Sequence, residues 1–532
     1  MAIDPRAVQD FLGKPRDSFT WMKGLSEREV DDALAALDPR PNIRSPLMLH
    51  QKVCFLLGVA YPAFFFMLDM GTGKTLLTLE LMRYWLMTGK LQRGLVFAPT
   101  DEVVGGWEDE IRRWAPDLPY ECLLGSSDQK ASSLGRLDRG LAIVTYPGFV
   151  WLGCDLERVV KKSGKAVNEL VPNKKKLKAL TRGVNASVWD ESTKVAPTKG
   201  GSAASRIYRL CNKVAQQCDI RYALAGRAFG RDPATLWPQF NLVDGGDSLG
   251  PTLGLFRAAF FDEKQSYFGG PYSFEYKFRD ELEPELTRMI GHRSLRYMAD
   301  ECLDLPELSR YVKAVHLPNS VYEYRQRIIA EMIAARGNYR EVKNTFLQFR
   351  QLSSGFIGFK DDETGEKAAV EFDYNPKLEL LLEMVSEVPP DCKWLIFHEF
   401  TFSGRTISER LRKEKIKHGW VWGGEKHATD LIRRFNSDPD YKGLILNHKK
   451  GSYGLNLQQA NYVFIYESPV SGIDRDQMER RAWRKGQTKR VFMYDLVTED
   501  TMDRRTLAFL KEGADLYKHL VDDPARVLAA AA

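Results

Sequence analysis

The stretch AFFFMLDMGTGKTLLTLELMRYW, Ala63 to Trp85, decides the fold. Its first six residues, Ala63 to Leu68, form a continuous apolar run, the pattern of a strand buried on both faces. A turn containing Gly71 and Gly73 follows. Leu76, Leu77, Leu79, Leu81, Met82 and Trp85 then recur with helical spacing. The order strand, glycine loop, helix predicts a phosphate cradle. Gly71, Thr72 and Gly73 let backbone N–H groups close on phosphate oxygens at a helix start, Lys74 reaches the β- and γ-phosphates, and the Thr75 hydroxyl ligates Mg²⁺. The full pattern GxxxxGK[ST] begins with glycine where this chain has Leu68, so the short form GTGKT carries the reading.

A nucleotide loop needs a metal-holding acid on a neighbouring strand. VNASVWDEST supplies a strand-like run ending in Asp190, whose carboxylate is placed to hold Mg²⁺ through water. Glu191 beside it is placed to orient or deprotonate the attacking water.

Composition sets the wider frame. At 532 residues the chain is too long for one core and is expected to form two or three domains. With 44% hydrophobic and 28% charged residues it has the balance of a globular protein. The run at Ala63 to Leu68 is too short to span a bilayer, and the first residues lack an apolar stretch of signal-peptide length. A cytoplasmic protein with no membrane partner is therefore expected. The seven cysteines include no CxxC pair and read as reduced, mostly buried thiols.

The net charge is only +6, but it is concentrated. Between Leu156 and Asn185 nine basic residues face only Glu157 and Glu169, a local charge of +7. Lys174, Lys175, Lys176 and Lys178 form its densest part. A nucleic-acid backbone is the expected partner, and a solvated loop is the alternative. Near the C-terminus QMERRAWRKGQ places Arg481 and Arg484 three residues apart, a spacing that puts both on one face of a helix. Such a pair suits one anion, and it suits a solvated helix face equally well.

Taken together, these blocks resemble helicase superfamily two, and within it the Swi/Snf-like DNA translocases. LHQ at Leu49 to Gln51 resembles the family's adenine-reading glutamine, and LDMGTGKT its phosphate loop. The block GLVFAPTDEVVGGWEDEIRRWAP, with Trp107, IVTYPGF at Ile143 to Phe149, DEST at Asp190 to Thr193 and the stretch Leu236 to Phe261 follow in the family's order. WLIFHEF at Trp394 to Phe400 is similar to the first strand of a second lobe. LILNHKKGSYGLNLQQANYVFIYESP, with Gly454, and QMERRAWRKGQ, with Gln477, resemble its last two blocks. Arg480 stands where the final motif usually has glycine. LAGRA, Leu224 to Ala228, replaces a TGTP-like sequence, with Ala225 and Arg227 in the hydroxyl positions.

The resemblance implies an α/β fold of two RecA-like lobes, parallel sheets flanked by helices, with helical insertions. It implies ATP and Mg²⁺ as cofactors, with Gln51, Gly454 and Gln477 near the nucleotide and Arg481 and Arg484 on the γ-phosphate. Residues 1–45 read as an N-terminal extension, 46–255 as lobe one with its basic insertion near 156–185, and 256–370 as helical protrusions with a lobe-joining segment. Residues 371–500 read as lobe two and 501–532 as a helical tail. The implied activity is a DNA-dependent ATPase translocating on double-stranded or branched DNA, in a compact bacterial or phage protein. Replication or transcription proteins are the expected protein partners. A strand-separating DNA or RNA helicase and an ATP-gated nucleic-acid clamp are the alternatives.

Overall fold

The computed structural model describes residues 5–14, 16–160, 166–195, 205–226, 233–265, 274–334, 339–360, 367–423, 425, 427–448 and 457–512. The chain divides into two compact units, Met1–Leu303 and Asp304–Ala532.

The first unit is built on a seven-stranded sheet. Its strands are β1 (Ala63–Leu68), β2 (Arg93–Ala98), β3 (Tyr120–Cys122), β4 (Gly140–Thr145), β7 (Val184–Asp190), β8 (Ile220–Ala225) and β11 (Ser294–Tyr297). They run parallel in the order β11-β1-β8-β7-β2-β4-β3. Two antiparallel hairpins stand apart from it, β5 (Cys154–Val160) with β6 (Ala166–Pro172) and β9 (Phe261–Gln265) with β10 (Phe274–Phe278).

The apolar runs explain the layering. Phe65, Met67, Leu95, Phe97 and Val144 point to one face of the sheet, while Phe64, Phe66, Leu68, Val96 and Ile143 point to the other. Each face is covered by helices, so a strand need not alternate polar with apolar residues. The described part of residues 1–45 joins this core through Phe11, Val30 and Leu34. The helix Glu27–Ala35 starts on a capping box in which Ser26 and Glu29 satisfy each other's backbone N–H groups.

The second unit holds a six-stranded parallel sheet. Its strands are β12 (Leu308–Val315), β15 (Trp394–His398), β16 (His418–Val421), β17 (Gly443–Asn447), β18 (Tyr462–Ile465) and β19 (Val491–Thr498), in the order β12-β19-β18-β15-β17-β16. Leu395, Phe397 and Leu444 bury one face, and Trp394, Ile396 and Ile445 the other. Two parallel sheets flanked by helices are thus the expected α/β architecture.

The stretch 256–370 is less helical than its sequence suggests. The helices Tyr322–Ala334 and Tyr339–Ser353 are present, but β11 extends the first sheet, β12 edges the second, and β13 (Phe356–Lys360) pairs with β14 (Lys367–Glu371). The inner residues of β12, Arg310 to Ala314, are exposed, so it has no buried-strand pattern to read.

Candidate nucleotide site and nucleic-acid surface

In the first unit the phosphate loop leaves the end of β1 through two left-handed glycines, Gly71 at φ +83° and Gly73 at φ +84°. At Gly73 the left-handed backbone is what requires glycine, and a Cβ there would also displace the Gln51 amide from the loop. Buried Gln51 donates from Nε2 to the carbonyls of Thr72 (3.0 Å) and Gly73 (3.3 Å), and its Oε1 accepts from Met48 N–H (2.8 Å). His50 Nε2 lies 2.8 Å from the same Thr72 carbonyl. The Thr72 hydroxyl donates to the Asp69 carbonyl at 2.7 Å. The loop is held from within, and in this structure the Gln51 amide ties it to the start of the helix Leu49–Ala60, Nε2 engaging loop carbonyls and Oε1 the Met48 N–H.

Lys74 opens the helix Lys74–Met87. Its Nζ donates to the Leu68 carbonyl at 2.9 Å and lies 3.9 Å from Glu191 Oε1. Thr75 follows on the same turn, half-buried, its hydroxyl engaged by no described residue.

Asp190 closes β7, two strands from β1 in the sheet. Trp107 Nε1 donates to its Oδ2 at 2.9 Å, and the Tyr146 hydroxyl donates to its main-chain carbonyl at 3.0 Å. Burial first, and the neighbouring Glu191 charge second, push the Asp190 carboxyl up to about 6. A cation beside it would relieve both. Glu191 is held at φ +48°, a conformation that costs a non-glycine residue about 1 kcal/mol or more. Such strain is concentrated at functional turns, and here the turn brings the carboxylate of Glu191 back towards Lys74.

The donor set fits magnesium. Asp190 keeps one oxygen beyond the one Trp107 holds, and Thr75 offers a hydroxyl, which is what an ion that retains several waters and takes phosphate oxygens needs. Among the described residues no group of three or more His, Cys, Asp and Glu side chains is placed to hold a metal on its own.

Between β1 and β7 lies β8, which ends in the LAGRA segment. Ala225 is fully buried, and Gly226 backs onto the loop, its Cβ position 3.6 Å from the Asp69 Cα and the Leu68 carbonyl. Arg227 and Ala228 lie outside the described residues.

In the second unit the arginine segment departs from expectation. The regular helix runs only from Gly472 to Glu479, and Arg480 to Gly486 form successive turns. Mixed hydrogen bonds explain why: Arg481 N–H donates to the Met478 carbonyl, Trp483 N–H to Glu479, and Gln487 N–H to Arg484. Gly486 then turns the chain at φ +95°. Gln487 fixes this turn by donating from Nε2 to the carbonyls of Ala460 (2.7 Å), Gln458 (3.0 Å) and Ala482 (3.3 Å). Arg481 and Arg484 therefore do not share a helical face. Arg481 is 1% exposed, whereas Arg484 is half-buried. Gln477 is buried on the helix, and its Oε1 accepts no hydrogen bond from the described residues. Gly454 lies outside the described residues.

Arg475 anchors the helix. It forms a paired bond to Asp495 on β19 (2.5 and 2.7 Å) and a third bond to Glu479 (2.7 Å), which also accepts from Arg310 on β12 (2.7 Å).

The basic stretch of the first unit is not a loose loop. The β5–β6 hairpin leads into a helix, Lys174–Leu180, whose Leu177 and Leu180 are buried and whose start is capped by Asn173. Lys174, Lys175, Lys176 and Lys178 are exposed, and Lys176 pairs with Asp155 at 2.7 Å.

Three site residues were given no role from sequence. His50, Trp107 and Tyr146 hold the loop and Asp190, and the last two stand inside blocks whose resemblance was already plain.

An SNF2-related domain model matches residues 52–216, and a helicase conserved C-terminal domain model matches residues 376–486. The transcription regulatory protein SNF2 of Saccharomyces cerevisiae is 24% identical over 82% of this chain and 25% of its own length. The Bacillus subtilis protein YwqA is 22% identical over 85% of this chain and 46% of its own. The chain therefore spans less than half the length of either relative. The Sulfolobus solfataricus SWI2/SNF2 ATPase core in complex with dsDNA aligns at 19% identity and a TM-score of 0.39, covering 90% of this chain and 94% of that one. With the first matched domain carrying Lys74, Asp190 and Glu191 and the second carrying Arg481 and Arg484, the chain belongs to the SNF2-related, helicase-type proteins.

Proposed function

We propose that the chain is an ATP-dependent motor that translocates on double-stranded DNA and remodels DNA structures or protein–DNA complexes in replication, recombination, repair or transcription. The observation that carries this is the convergence of Lys74, Asp190 and Glu191 at strand ends inside the SNF2-related domain.

Each residue has a task. Lys74 exchanges the Leu68 carbonyl for the β- and γ-phosphates, and the N–H groups of Gly71 to Thr75 surround them. Asp190 and Thr75 would hold Mg²⁺, which would neutralise phosphate charge when bound. Glu191 orients the attacking water and accepts its proton. Arg481 and Arg484 stabilise charge on the γ-phosphate in the transition state, which ties turnover to the arrangement of residues 46–255 and 371–500 as two lobes. The basic segment that holds Lys174, Lys175, Lys176 and Lys178 contacts the DNA backbone. No helix among the described residues is long and apolar enough to cross a membrane.

ATP turnover measured with duplex DNA, single-stranded DNA, RNA and no polymer tests the reading. Duplex DNA should stimulate most. Stimulation by RNA alone would favour a helicase acting on RNA. The absence of a hydroxyl at Ala225 favours one second reading, an ATP-gated clamp, and hydrolysis indifferent to every polymer would support it.

A further inference from the structure

The basic stretch encloses a pocket of about 540 Å³ lined by Lys174, Lys178, Arg182 and Lys213, with Thr181 and Gln217 among its polar groups. Two elements build it. Lys174 and Lys178 are one turn apart on the helix Lys174–Leu180, about 6 Å along its axis. Lys213 comes from the last turn of the helix Arg206–Ala215. These helices precede β7 and β8, so the pocket opens at the end of the sheet where those strands begin. Lys74 and Asp190 lie at the end where strands finish, and the seven residues of β7 alone put about 20 Å between the two ends.

The charge of the pocket is uncompensated. Two carboxylates of the same segment are committed elsewhere, Asp155 to Lys176 and Glu169 to Arg206. Among the described residues no carboxylate pairs with Lys174, Lys178, Arg182 or Lys213. Four cations gathered around one concavity repel one another, and a polyanion relieves that repulsion.

The lining also says which part of a polyanion fits. Among the described residues Leu177 and Val214 are its only apolar side chains, and none that line it is aromatic. Bases have nothing to stack on, whereas phosphate oxygens meet ammonium, guanidinium, hydroxyl and amide donors. We propose that this pocket is the duplex-backbone grip of the basic segment, remote from the nucleotide loop, in which Lys174, Lys178, Arg182 and Lys213 bind phosphodiesters without regard to sequence. It rests on the DNA-binding reading above and adds Arg182 and Lys213, which belong to no sequence motif. It also removes Lys175 and Lys176 from the grip.

The test is a salt titration of duplex affinity, without nucleotide, on two unrelated fluorescent duplexes. It compares the full chain, the variant Lys178→Ala/Arg182→Ala/Lys213→Ala and the variant Lys175→Ala/Lys176→Ala. Each phosphate contact contributes about 0.9 to the slope of log K against log salt, so the pocket variant should be shallower by about 2 to 3 units on both duplexes. The second variant should change the slope by less than 1 unit, and thermal melting should show both variants folded. Equal slopes for wild type and the pocket variant, equal losses in the two variants, or a loss on one duplex alone would each overturn the grip. Failure of wild type to bind any duplex would instead sink the DNA reading itself. Neither result depends on hydrolysis.

Discussion

Lys74 Nζ stands 3.9 Å from Glu191 Oε1 while donating to the Leu68 carbonyl. The cation that must meet phosphate and the carboxylate that must meet water thus already share one corner of the first sheet. Lys74→Ala strips a charge from the phosphates, and Glu191→Gln keeps the shape but cannot accept a proton. Both should lose nearly all ATP hydrolysis, by about 10³-fold or more. Glu191→Gln should still bind ATP, measured with a fluorescent analogue. Wild-type turnover in either variant would remove the site from this corner.

Trp107 fixes Asp190 from behind through the 2.9 Å bond to Oδ2. Groups that orient a metal-holding carboxylate typically change metal affinity by 10- to 100-fold when removed. Trp107→Phe retains the buried ring and deletes the N–H, so the Mg²⁺ concentration giving half-maximal ATPase should rise by about 10-fold or more. The melting temperature should move little. An unchanged Mg²⁺ dependence would leave Trp107 as core packing only.

Arg481 and Arg484 should matter to turnover more than to affinity, because their contacts are assigned to the transition state. Arg481→Ala and Arg484→Ala should each lower DNA-stimulated kcat by orders of magnitude, about 10³-fold for a phosphate-directed arginine, with ATP affinity little changed. Their unequal burial adds a distinction: Arg481→Ala should also lower stability, and Arg484→Ala should not. Normal kcat with weakened DNA binding would reassign the residue to the DNA surface.

His398 gives the second unit a pH dependence. It is fully buried on β15, its Nδ1–H donates to the Phe400 carbonyl (3.0 Å), and its Nε2 accepts from Trp420 Nε1–H (3.1 Å). Burial lowers its pKa to about 4. A depressed histidine stabilises the fold in its neutral form, fully above its unfolded value near 6.5 and progressively less as pH falls towards 4. About 3 kcal/mol is at stake for a shift of this size. Urea unfolding of wild type should weaken across that window, and His398→Asn should flatten the dependence. The same slope in both proteins would contradict the assignment.

The nucleotide loop was legible because its evidence is local: an apolar run, two glycines and a lysine within one strand–turn–helix. Asp190 and Glu191 were legible as a strand-end pair. Their supports were not, because Trp107 and Tyr146 reach Asp190 across 83 and 44 residues, and no periodicity reports such a contact. The arginine segment misled because a spacing of three suits a helix and a run of turns alike, and only Gln487 and the distant carbonyls of Gln458 and Ala460 settle which forms. Lys213 entered the basic pocket for the same reason: it joins Lys178 only where the helices Lys174–Leu180 and Arg206–Ala215 line one concavity.

Motion along duplex DNA is the central claim, and displacement of a third strand from a triplex measures it most directly. Wild type with ATP and Mg²⁺ should release the third strand well before it separates a plain duplex of the same length, and Glu191→Gln should release none. Unwinding of the plain duplex at the same rate, or ATP hydrolysis stimulated by duplex DNA with the third strand left in place, would contradict the account.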